Sequence, residues 1–479
     1  MTALLLPPIL SLLLMPFPQE TDQAEGLFDA AQTFMSAGKY KEALTDFENI
    51  INNYSQSSYA PRALLEVGHY YLEIEGAHEN AATYFSRIQN DYPESEQAPA
   101  AYIFKARIID SQGESPPELE SAVADLIRMG NLYPNNSWKS GALFLLGKLS
   151  MRLRDFEQSL NYFHRLEFAF PQSDYLPPAL LLSAKTAYLN GNRGEAVLVL
   201  ARLQSKFPNT PESKFAASLL RLLKAGMIQG ELEVDRTFFG ATPKTFSNPA
   251  DIGIGWDGHI GIKHSRGVFY SDLNGPEAGP DVPDKDLVGF TRGRDGQLYL
   301  VYKERIVDQA TGETVFGGLN WTSGTLKDIR AAAVDGFGRL FLVDNGVRDV
   351  AAFSREGTFL KVLGLNRPKL VRAFQDEIWV LASDGQSFIR YGGSLAHPDS
   401  PLSGLDDVED FQFDPLGHVY VLHQRGYQVT VFDRKGVSLL SMNLKSGDFP
   451  LKQAQAIGAD ASGAVYLSDR RGGAVFRFQ

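Results

Sequence analysis

The stretch DGFGRLFLVDNG at residues 335–346 consists of a polar turn, an apolar run and a second polar turn. Similar phrases return as DPLGHVYVLHQRG at residues 414–426 and DASGAVYLSDRRG at residues 460–472, and a shorter one, RDGQLYLVYKE, occupies residues 294–304. Aspartate accepts backbone hydrogen bonds inside turns, and glycine adopts positive φ at no steric cost. The phrase therefore predicts a shape, a tight turn that leads into a strand, rather than a metal site.

Six versions of this strand follow one another from residue 259 onward. They are HIGI, QLYL, RLFL, EIWV, HVYV and AVYL, and their first residues lie 38 to 46 positions apart. Each interval has room for about four short strands separated by glycine and aspartate turns. Six four-stranded sheets arranged radially form a β-propeller, and this is the fold that we predict for residues 232–479.

The pattern resembles NHL repeats, in which an Asp and Gly turn leads into a strand of the type L-Y-V-x-D. The resemblance is good in units three, five and six and poor in units one and four, where FQDEIWVL has no glycine. The sixth unit, which finishes with GAVFRFQ, contains no outer strand. We expect the segment LEVDRTFF at residues 232–239 to supply it beside residues 474–478, because closure protects an exposed strand edge.

The first half of the chain has helical periodicity and a recurring helix stop. The prolines of DYPES, LYPNN, AFPQS and KFPNT lie 41, 37 and 37 residues apart. Three further positions recur in each unit: a small residue, a second small residue, and a large apolar residue four positions later that would fill the space left by the small ones. These positions are Ala31, Gly68, Ala106, Gly147 and Ala184; Ala43, Ala81, Ala122, Ser159 and Ala196; and Phe47, Phe85, Leu126, Phe163 and Leu200.

These positions resemble the tetratricopeptide repeat (TPR). The resemblance covers about residues 24–224 with five repeats and a capping helix, and it requires a one-residue insertion near Glu75 and about four residues near Ser115. The links APRAL at residue 60 and APAAY at residue 98 are similar to those of periplasmic TPR proteins, including the outer-membrane-assembly lipoprotein and the Tol-Pal coordinator. This chain differs from the lipoprotein in having no lipidation cysteine. Residues 225–231 are the expected connector to the propeller.

The N-terminal run MTALLLPPILSLLLMPFP has the length and apolar character of a signal segment. We expect residues 1–19 to be a signal peptide and the protein to be exported, either periplasmic or secreted. Membrane association is expected only if this segment stays uncleaved. The formal net charge of −11 argues against a general nucleic-acid binder.

The sequence contains no recognisable catalytic or metal motif. It has no cysteine, no G-x-S-x-G, no H-E-x-x-H and no P-loop lysine motif. His259 and His264, like His418 and His423, are five residues apart, which places their side chains on opposite faces of a strand. We therefore predict no catalytic residue, no cofactor and no metal site.

Basic residues recur in the turns between the second and third strands of the predicted blades. All these turns lie on one face of a propeller, and they form a candidate binding face for an anionic partner because the Arg fork suits carboxylate and phosphate. Exposed turns are also often charged without any binding role, and both interpretations stay open. The candidate residues are Lys263, His264, Arg266, Lys303, Arg305, Arg348, His423, Arg425, Arg470 and Arg471.

Both predicted domains are architectures that present large surfaces. The leading functional prediction is a non-enzymatic scaffold of the bacterial envelope, in which the TPR groove and the propeller face each bind a protein or peptide partner. One alternative is a metal-dependent hydrolase or lyase with its site at the propeller axis. Another is a glycan- or peptidoglycan-binding module that uses Trp256, Trp321 or Trp379, although EIWV makes Trp379 a core residue.

Overall fold

A computed structural model describes residues 18–112, 115–225, 234–272 and 286–478, apart from positions 236–237, 239–240, 243, 257, 295, 323, 327, 446–450 and 461–462. The predicted signal peptide therefore lies almost entirely outside the described residues. Two compact units are present: residues 1–111 with 124–142, and residues 112–123 with 143–479. The division falls inside the helical region, so the later helices belong to the same unit as the sheets. Among the described helices, none has the length and apolar character needed to cross a membrane.

The helical region contains eleven α-helices within its described residues, which matches five helix pairs and a cap. Ten of them form the pairs of the predicted repeats: α1 (Pro18–Ser36) and α2 (Tyr40–Asn53), α3 (Tyr59–His69) and α4 (His78–Asp91), α5 (Ala98–Gln112) and α6 (Pro116–Leu132), α7 (Lys139–Arg152) and α8 (Phe156–Ala169), and α9 (Leu176–Leu189) and α10 (Arg193–Lys206). The cap is α11 (Pro211–Ala225). Each recurring proline lies just after a helix end, as expected from its missing N–H.

The predicted one-residue insertion near Glu75 corresponds to a π-helical turn. Helix α3 continues directly into Tyr70–Ile74, where hydrogen bonds skip one residue more than in an α-helix. The backbone N–H of Glu75 donates to the carbonyl oxygen of Tyr70 at 3.2 Å. One extra residue is therefore absorbed within the helix, and the helix pair keeps its packing.

The recurring small and large residues pack against each other as predicted. A Cβ atom placed on Gly68 would lie 2.5 Å from Cε1 of Phe85, and one placed on Gly147 would lie 2.4 Å from Cε1 of Phe163. Both phenylalanines are buried. A small residue is required at each crossing because the ring fills the position that a side chain would occupy.

We expect Gly68→Ala to lower the free energy of unfolding by about 1–3 kcal/mol, because the new methyl group overlaps the Phe85 ring. Gly26→Ala is the matched control, since Gly26 lies in α1 and a Cβ there meets no atom within 4 Å. Alanine should be neutral or stabilising at that position by up to ~1 kcal/mol. Urea denaturation followed by circular dichroism measures both variants, and equal effects would contradict the packing argument.

The sheets of the second half follow one another in sequence order. The first three blades consist of β2 (Asp251–Ile254), β3 (His259–His264) and β4 (Gly267–Asp272); β5 (Leu287–Arg292), β6 (Leu298–Tyr302), β7 (Arg305–Asp308) and β8 (Thr314–Gly317); and β11 (Ile329–Val334), β12 (Leu340–Asp344), β13 (Val350–Phe353) and β14 (Phe359–Val362). A short hairpin, β9 (Asn320–Trp321) and β10 (Gly324–Thr325), separates the second and third blades.

The last three blades follow the same order. They consist of β15 (Leu370–Phe374), β16 (Glu377–Leu381) and β17 (Phe388–Tyr391); β18 (Asp410–Phe413), β19 (Val419–His423), β20 (Gln428–Phe432) and β21 (Ser438–Asn443); and β22 (Ala454–Ala459), β23 (Val465–Asp469) and β24 (Ala474–Phe478). Neighbouring strands within each blade are antiparallel. The fifth blade has the four strands that its sequence predicts.

The six blades form a closed ring. The first strand of each blade contacts the first strand of the next, in the order β2, β5, β11, β15, β18 and β22, and β22 contacts β2 again. The predicted closing strand is present as β1 (Val234–Asp235), where Val234 pairs with Phe478 and Asp235 with Arg477. The first and last strands therefore share a sheet, which covers the outer edge of β24.

The repeated phrase forms the turn between the first and second strands of a blade. Asp335 Oδ1 accepts hydrogen bonds from the backbone N–H groups of Phe337 and Arg339 at 3.0 and 2.9 Å. Gly338 has a φ of 80°, and the equivalent Gly417 has a φ of 83°. In the fourth blade, which lacks the glycine, a shorter turn places Gln375 at a φ of 54°. The predicted turn role of the phrase is confirmed.

These turns also hold the helices that belong to the same compact unit. The Tyr188 hydroxyl and His418 Nε2 are hydrogen-bond partners, and His418 Nδ1 lies 2.5 Å from Asp414 Oδ2. Arg152 donates to the carbonyl oxygen of Gly336 at 3.3 Å. Leu416 belongs to the buried cluster formed by α7–α11. The edge that carries these turns, which we call the helix-bound edge, is thus a packing surface.

A buried ion pair reinforces the helix-bound edge. Glu377 is 2% exposed, and its Oε1 lies 2.5 Å from Nη1 of Arg154 and 2.5 Å from Nη2 of Arg434. Burial opposes ionisation of Glu377, but Arg434 and Arg154 outweigh it, so the pKa of this carboxyl lies below its usual value. One carboxylate therefore joins the loop after α7 to two blades of the propeller.

We expect Glu377→Ala to lower the free energy of unfolding by about 3–5 kcal/mol, because it removes the partner of two guanidinium groups at a buried site. Glu313→Ala is the control: Glu313 is exposed in the turn between β7 and β8, and its loss should change stability by less than about 0.5 kcal/mol. Thermal and urea unfolding of the full chain provide the comparison. A loss at Glu377 no larger than that at Glu313 would contradict the role of this ion pair.

Candidate functional site

The basic turns lie at the opposite ends of the strands from the helix-bound edge. Strand β12 follows the turn that contains Phe337 and ends at Asp344. Strand β19 follows the turn that contains His418 and ends at His423. A five-residue strand spans roughly 17 Å. The turns between second and third strands therefore form a separate edge of the ring, which we call the arginine edge.

The structure divides the ten predicted residues of the arginine edge into two groups. Seven have exposed side chains: Arg266, Lys303, Arg305, Arg348, Arg425, Arg470 and Arg471. Lys263 is half-buried and donates to the carbonyl oxygen of Val288 at 2.8 Å. His264 and His423 are buried, and His423 Nε2 lies 2.9 Å from Thr430 Oγ1. Because both imidazoles are buried, only the arginines and lysines can present charge at this edge.

Several carboxylates that share these turns are occupied by backbone groups. Asp344 and Asp469 are 2% and 0% exposed, and each accepts backbone N–H groups of its own turn. Asp349 accepts the backbone N–H groups of Val350 and Leu365. These acids shape the turns, and their burial reduces their competition for the exposed guanidinium groups.

Polar partners are present for Arg266, Arg425 and Arg470, and Nη2 of Arg266 donates to the carbonyl oxygen of Thr245 at 3.5 Å. Arg425 forms an exposed ion pair with Asp407 at 3.0 Å, and Nε of Arg470 donates to the Asn248 side-chain oxygen at 2.7 Å. An exposed ion pair contributes only about 0–1 kcal/mol, so Asp407 is readily displaced by a stronger anionic partner. The arginine edge thus carries accessible positive charge on a protein whose formal net charge is −11.

The central channel opens at the same side of the ring. The starts of the inner strands surround a cavity of about 220 Å³. We call this cavity the channel mouth. Its charged lining residues are Asp251, Lys263, Arg330, Arg372, Glu409 and Asp410.

Two aspartates of the channel mouth, the half-buried Asp251 and the buried Asp410, connect neighbouring blades. Asp251 Oδ2 accepts the backbone N–H of Phe290 in the next blade at 3.1 Å, and Asp410 Oδ2 accepts the backbone N–H of Ile457 at 3.2 Å. A Cβ on Gly289 would lie 2.4 Å from Asp251 Oδ2, so glycine is needed for the first of these contacts. Both carboxylates therefore have a structural role.

Arg372 lies between these carboxylates and is 8% exposed. Its Nη2 atom is 3.1 Å from Asp410 Oδ1. Burial raises the pKa of Asp410 to about 6 against the opposing effect of Arg372, and the nearby Asp251 adds to the rise. Burial likewise raises the pKa of Asp251, and Arg372 opposes that shift.

The channel mouth has a floor made by Arg292. This residue belongs to the second blade, yet Nη1 donates to the carbonyl oxygen of Phe413 and Nη2 to the side-chain oxygen of Gln412, both at 2.8 Å, in the opposite fifth blade. The space beside Arg292 and Gln412 measures about 20 Å³. Burial, together with the neighbouring Arg372, lowers the pKa of Arg292 to about 9. The side chain crosses the axis and narrows the channel.

Of the charged channel residues, only Lys263 was predicted from the sequence, as part of the arginine edge. The others are single charged residues in or beside inner strands, and the ring closure that brings them together is not visible in any one repeat. Trp379 is fully buried, as its EIWV context predicts, while Trp256 and Trp321 are half-buried. Within the described parts of the chain, no group of three His, Asp or Glu side chains is arranged to hold a metal ion.

The raised pKa of Asp410 gives a pH dependence with a defined sign. The folded-state pKa of about 6 lies above the unfolded value near 4, so the folded protein binds a proton that the unfolded chain has released. The contribution of Asp410 to stability is therefore full below about pH 4 and is lost as the pH rises through about 6.

We expect the free energy of unfolding of the wild-type protein, minus that of Asp410→Asn, to fall between about pH 4 and pH 6 and to level off above about pH 7. Urea unfolding of both proteins at several pH values gives this difference. Glu304→Gln, a change at an exposed carboxylate of the arginine edge, is the control. The difference in the free energy of unfolding between the wild-type protein and this variant should not change with pH. A difference for Asp410→Asn that is constant or rises with pH would contradict the raised pKa of Asp410.

Comparison with known families supports the interpretation of the helical region. Residues 25–57 and 178–210 match the tetratricopeptide repeat family. The first segment covers α1 and α2 and the second covers α9 and α10, which are the first and fifth of the predicted repeats. No curated protein matches the chain. Since tetratricopeptide solenoids present extended protein-binding surfaces, the helical region has an architecture for protein–protein interaction.

Solved structures similar to about half of the chain have diverse functions. A gluconolactonase from Xanthomonas campestris is 16% identical, with a TM-score of 0.40, over 52% of this chain and 94% of its own. Virginiamycin B lyase from Staphylococcus aureus is 12% identical (TM-score 0.35; 50% of this chain, 82% of that one). An auxiliary nutrient binding protein from Bacteroides ovatus is 10% identical (TM-score 0.39; 51% and 76%). At these TM-scores the propeller assignment depends on the strand contacts described above.

Proposed function

We propose that the protein is a non-enzymatic interaction scaffold of the bacterial cell envelope. The tetratricopeptide helices bind one protein partner, and the arginine edge of the propeller binds another partner through an acidic segment. The observation that carries this proposal is the set of seven exposed arginine and lysine side chains at one edge of the ring. That edge lies away from the turns that pack against α7–α9.

An acidic polypeptide fits this edge for electrostatic reasons. Arg305, Arg348 and Arg471 belong to three different blades, so an extended segment can contact several guanidinium groups at once. Each guanidinium can bind a carboxylate through two parallel hydrogen bonds. Contacts of this kind are weak singly when exposed, and several are needed for a specific complex.

The contacts of the channel support a non-enzymatic role. The carboxylates of Asp251 and Asp410 accept backbone hydrogen bonds that join blades, and Arg292 crosses the axis. A hydrolase or lyase at the axis would need these groups for chemistry. A glycan-binding module would need exposed aromatic rings, whereas Trp379 is buried and Trp256 is half-buried beneath Arg292.

The proposal places the protein outside the cytoplasm. Two sequence features support this location: the apolar N-terminal segment and the absence of cysteine, which suits an oxidising compartment. The similarity of the APRAL and APAAY links to periplasmic tetratricopeptide proteins of the outer-membrane-assembly and Tol-Pal coordinator type supports the same assignment.

The test uses the absence of cysteine to label the arginine edge selectively. Arg348→Cys, carrying a photo-activated crosslinker, should form specific adducts with acidic partner proteins when the full chain is expressed in its native envelope. The yield of adducts should fall several-fold when Arg305 and Arg471 are changed to Ser. The yield should also fall at high salt because surface ion pairs are screened.

Lys435→Cys is the matched control, because Lys435 is exposed in the turn between β20 and β21, away from the arginine edge. It should not form the same adducts. Equal yields of adducts from both positions would overturn the proposed binding edge. A yield that does not change with salt or with the Arg305 and Arg471 substitutions would also overturn it.

A further inference from the structure

The channel mouth has the properties of a binding site for one small molecule. Its volume of about 220 Å³ corresponds to roughly seven waters at ~30 Å³ each and lies below the ~300 Å³ at the lower end of drug-sized pockets. Arg292 crosses the axis to Gln412 and Phe413, so the cavity narrows sharply beneath the mouth. A ligand would therefore be held at the side of the arginine edge, not pass through the ring.

Two buried polar atoms that line this cavity have no partner among the described residues. Arg372 uses Nη1 on the carbonyl oxygen of Val371 and Nη2 on Asp410, while its Nε has no hydrogen-bond acceptor. The side-chain oxygen of Gln455 has no donor. An unpaired buried polar atom destabilises a protein, so such atoms mark positions where a ligand or water completes the bonding. The mouth offers one donor and one acceptor in this way.

Charges of both signs line the mouth. The basic residues are Lys263, Arg330 and Arg372, and the acidic residues are Asp251, Glu409 and Asp410. Lys263 donates to the carbonyl oxygen of Val288, and Arg372 is paired with Asp410. Arg330 in the third blade favours an anionic group, whereas Asp251 and Glu409 in the first and fifth blades favour a cationic group. A ligand with one sign of charge would meet repulsion from the lining groups of that sign.

We propose that the channel mouth binds a small zwitterion of the α-amino acid class. The ligand carboxylate lies on the side of Arg330 and Arg372, and its ammonium group lies toward Asp251, Glu409 and the oxygen of Gln455. The charges of both signs, the unpaired donor and acceptor, and the volume all fit such a molecule. This binding activity is independent of the protein partner proposed for the arginine edge.

Isothermal titration of the full-length protein with each standard L-amino acid in turn tests the proposal. At least one should bind with one-to-one stoichiometry. Propionate and propylammonium, which each carry one of the two charges, should bind at least about tenfold more weakly, the loss expected for one charge-assisted contact. The absence of binding by every amino acid at millimolar concentration would overturn the proposal, and so would propionate binding as tightly as the best amino acid.

Variants locate the binding. Arg330→Gln should weaken it at least about tenfold, and because Arg330 is exposed, the change should leave the fold intact. Gln455→Leu is the second variant and should weaken binding by removing the acceptor. Arg348→Gln is the matched control, an exposed arginine of the same blade as Arg330 that does not line the mouth. Equal affinities for Arg330→Gln, Arg348→Gln and the wild-type protein would place the ligand elsewhere and overturn the assignment.

Discussion

The aspartate turn between the first and second strands of a blade is the interaction on which much of this structure depends. In the fifth blade, Asp414 Oδ1 accepts the backbone N–H groups of Leu416 and His418, and Gly417 takes the positive φ that the turn needs. The other oxygen of the same carboxylate contacts the His418 ring, whose far nitrogen bonds with Tyr188. One buried carboxylate thus fixes the turn, orients a side chain and holds a helix.

This arrangement explains why the two edges of the ring have different chemistry. The helix-bound edge is crowded with buried contacts, among them Leu416 in the helical cluster and Glu377 between two arginines. At the arginine edge, the turn aspartates face inward to the backbone, and the guanidinium groups point to solvent. The channel mouth opens on this second side, so accessible charge and accessible volume occur together.

The repeats were predictable from the sequence because each repeat contains the local residues that determine its geometry. Local sequence is enough to recognise the prolines that end helices, small residues such as Gly68, and the Asp and Gly turns. No knowledge of the partner strand or helix is needed. The closing strand was predictable for the same reason, since Val234 supplies a position that the last blade lacks. In the fourth blade, Gln375 adopts the positive φ that glycine has in the other turns. A turn with positive φ can therefore form without the glycine that predicts it.

The site was less predictable because it depends on contacts between distant repeats. Nothing near Arg292 indicates that it bonds to Phe413, more than a hundred residues away, and the pairing of Arg372 with Asp410 requires the ring to close. His264 and His423 were predicted at the arginine edge from their positions in turns, but both side chains pack inward. Turn sequences reveal which residues are near an edge, and packing decides which side chains reach solvent.

Helices α7–α9 pack against one edge of the ring, and the other edge stays accessible. Oxidative footprinting of the full chain with mass spectrometry tests this most directly. Phe337 and Leu416 at the helix-bound edge should stay unmodified, while Phe168, which is 91% exposed on α8, should label readily. Labelling of Phe337 and Leu416 at a rate close to that of Phe168 would mean that the helices do not cover those turns, and it would contradict the account.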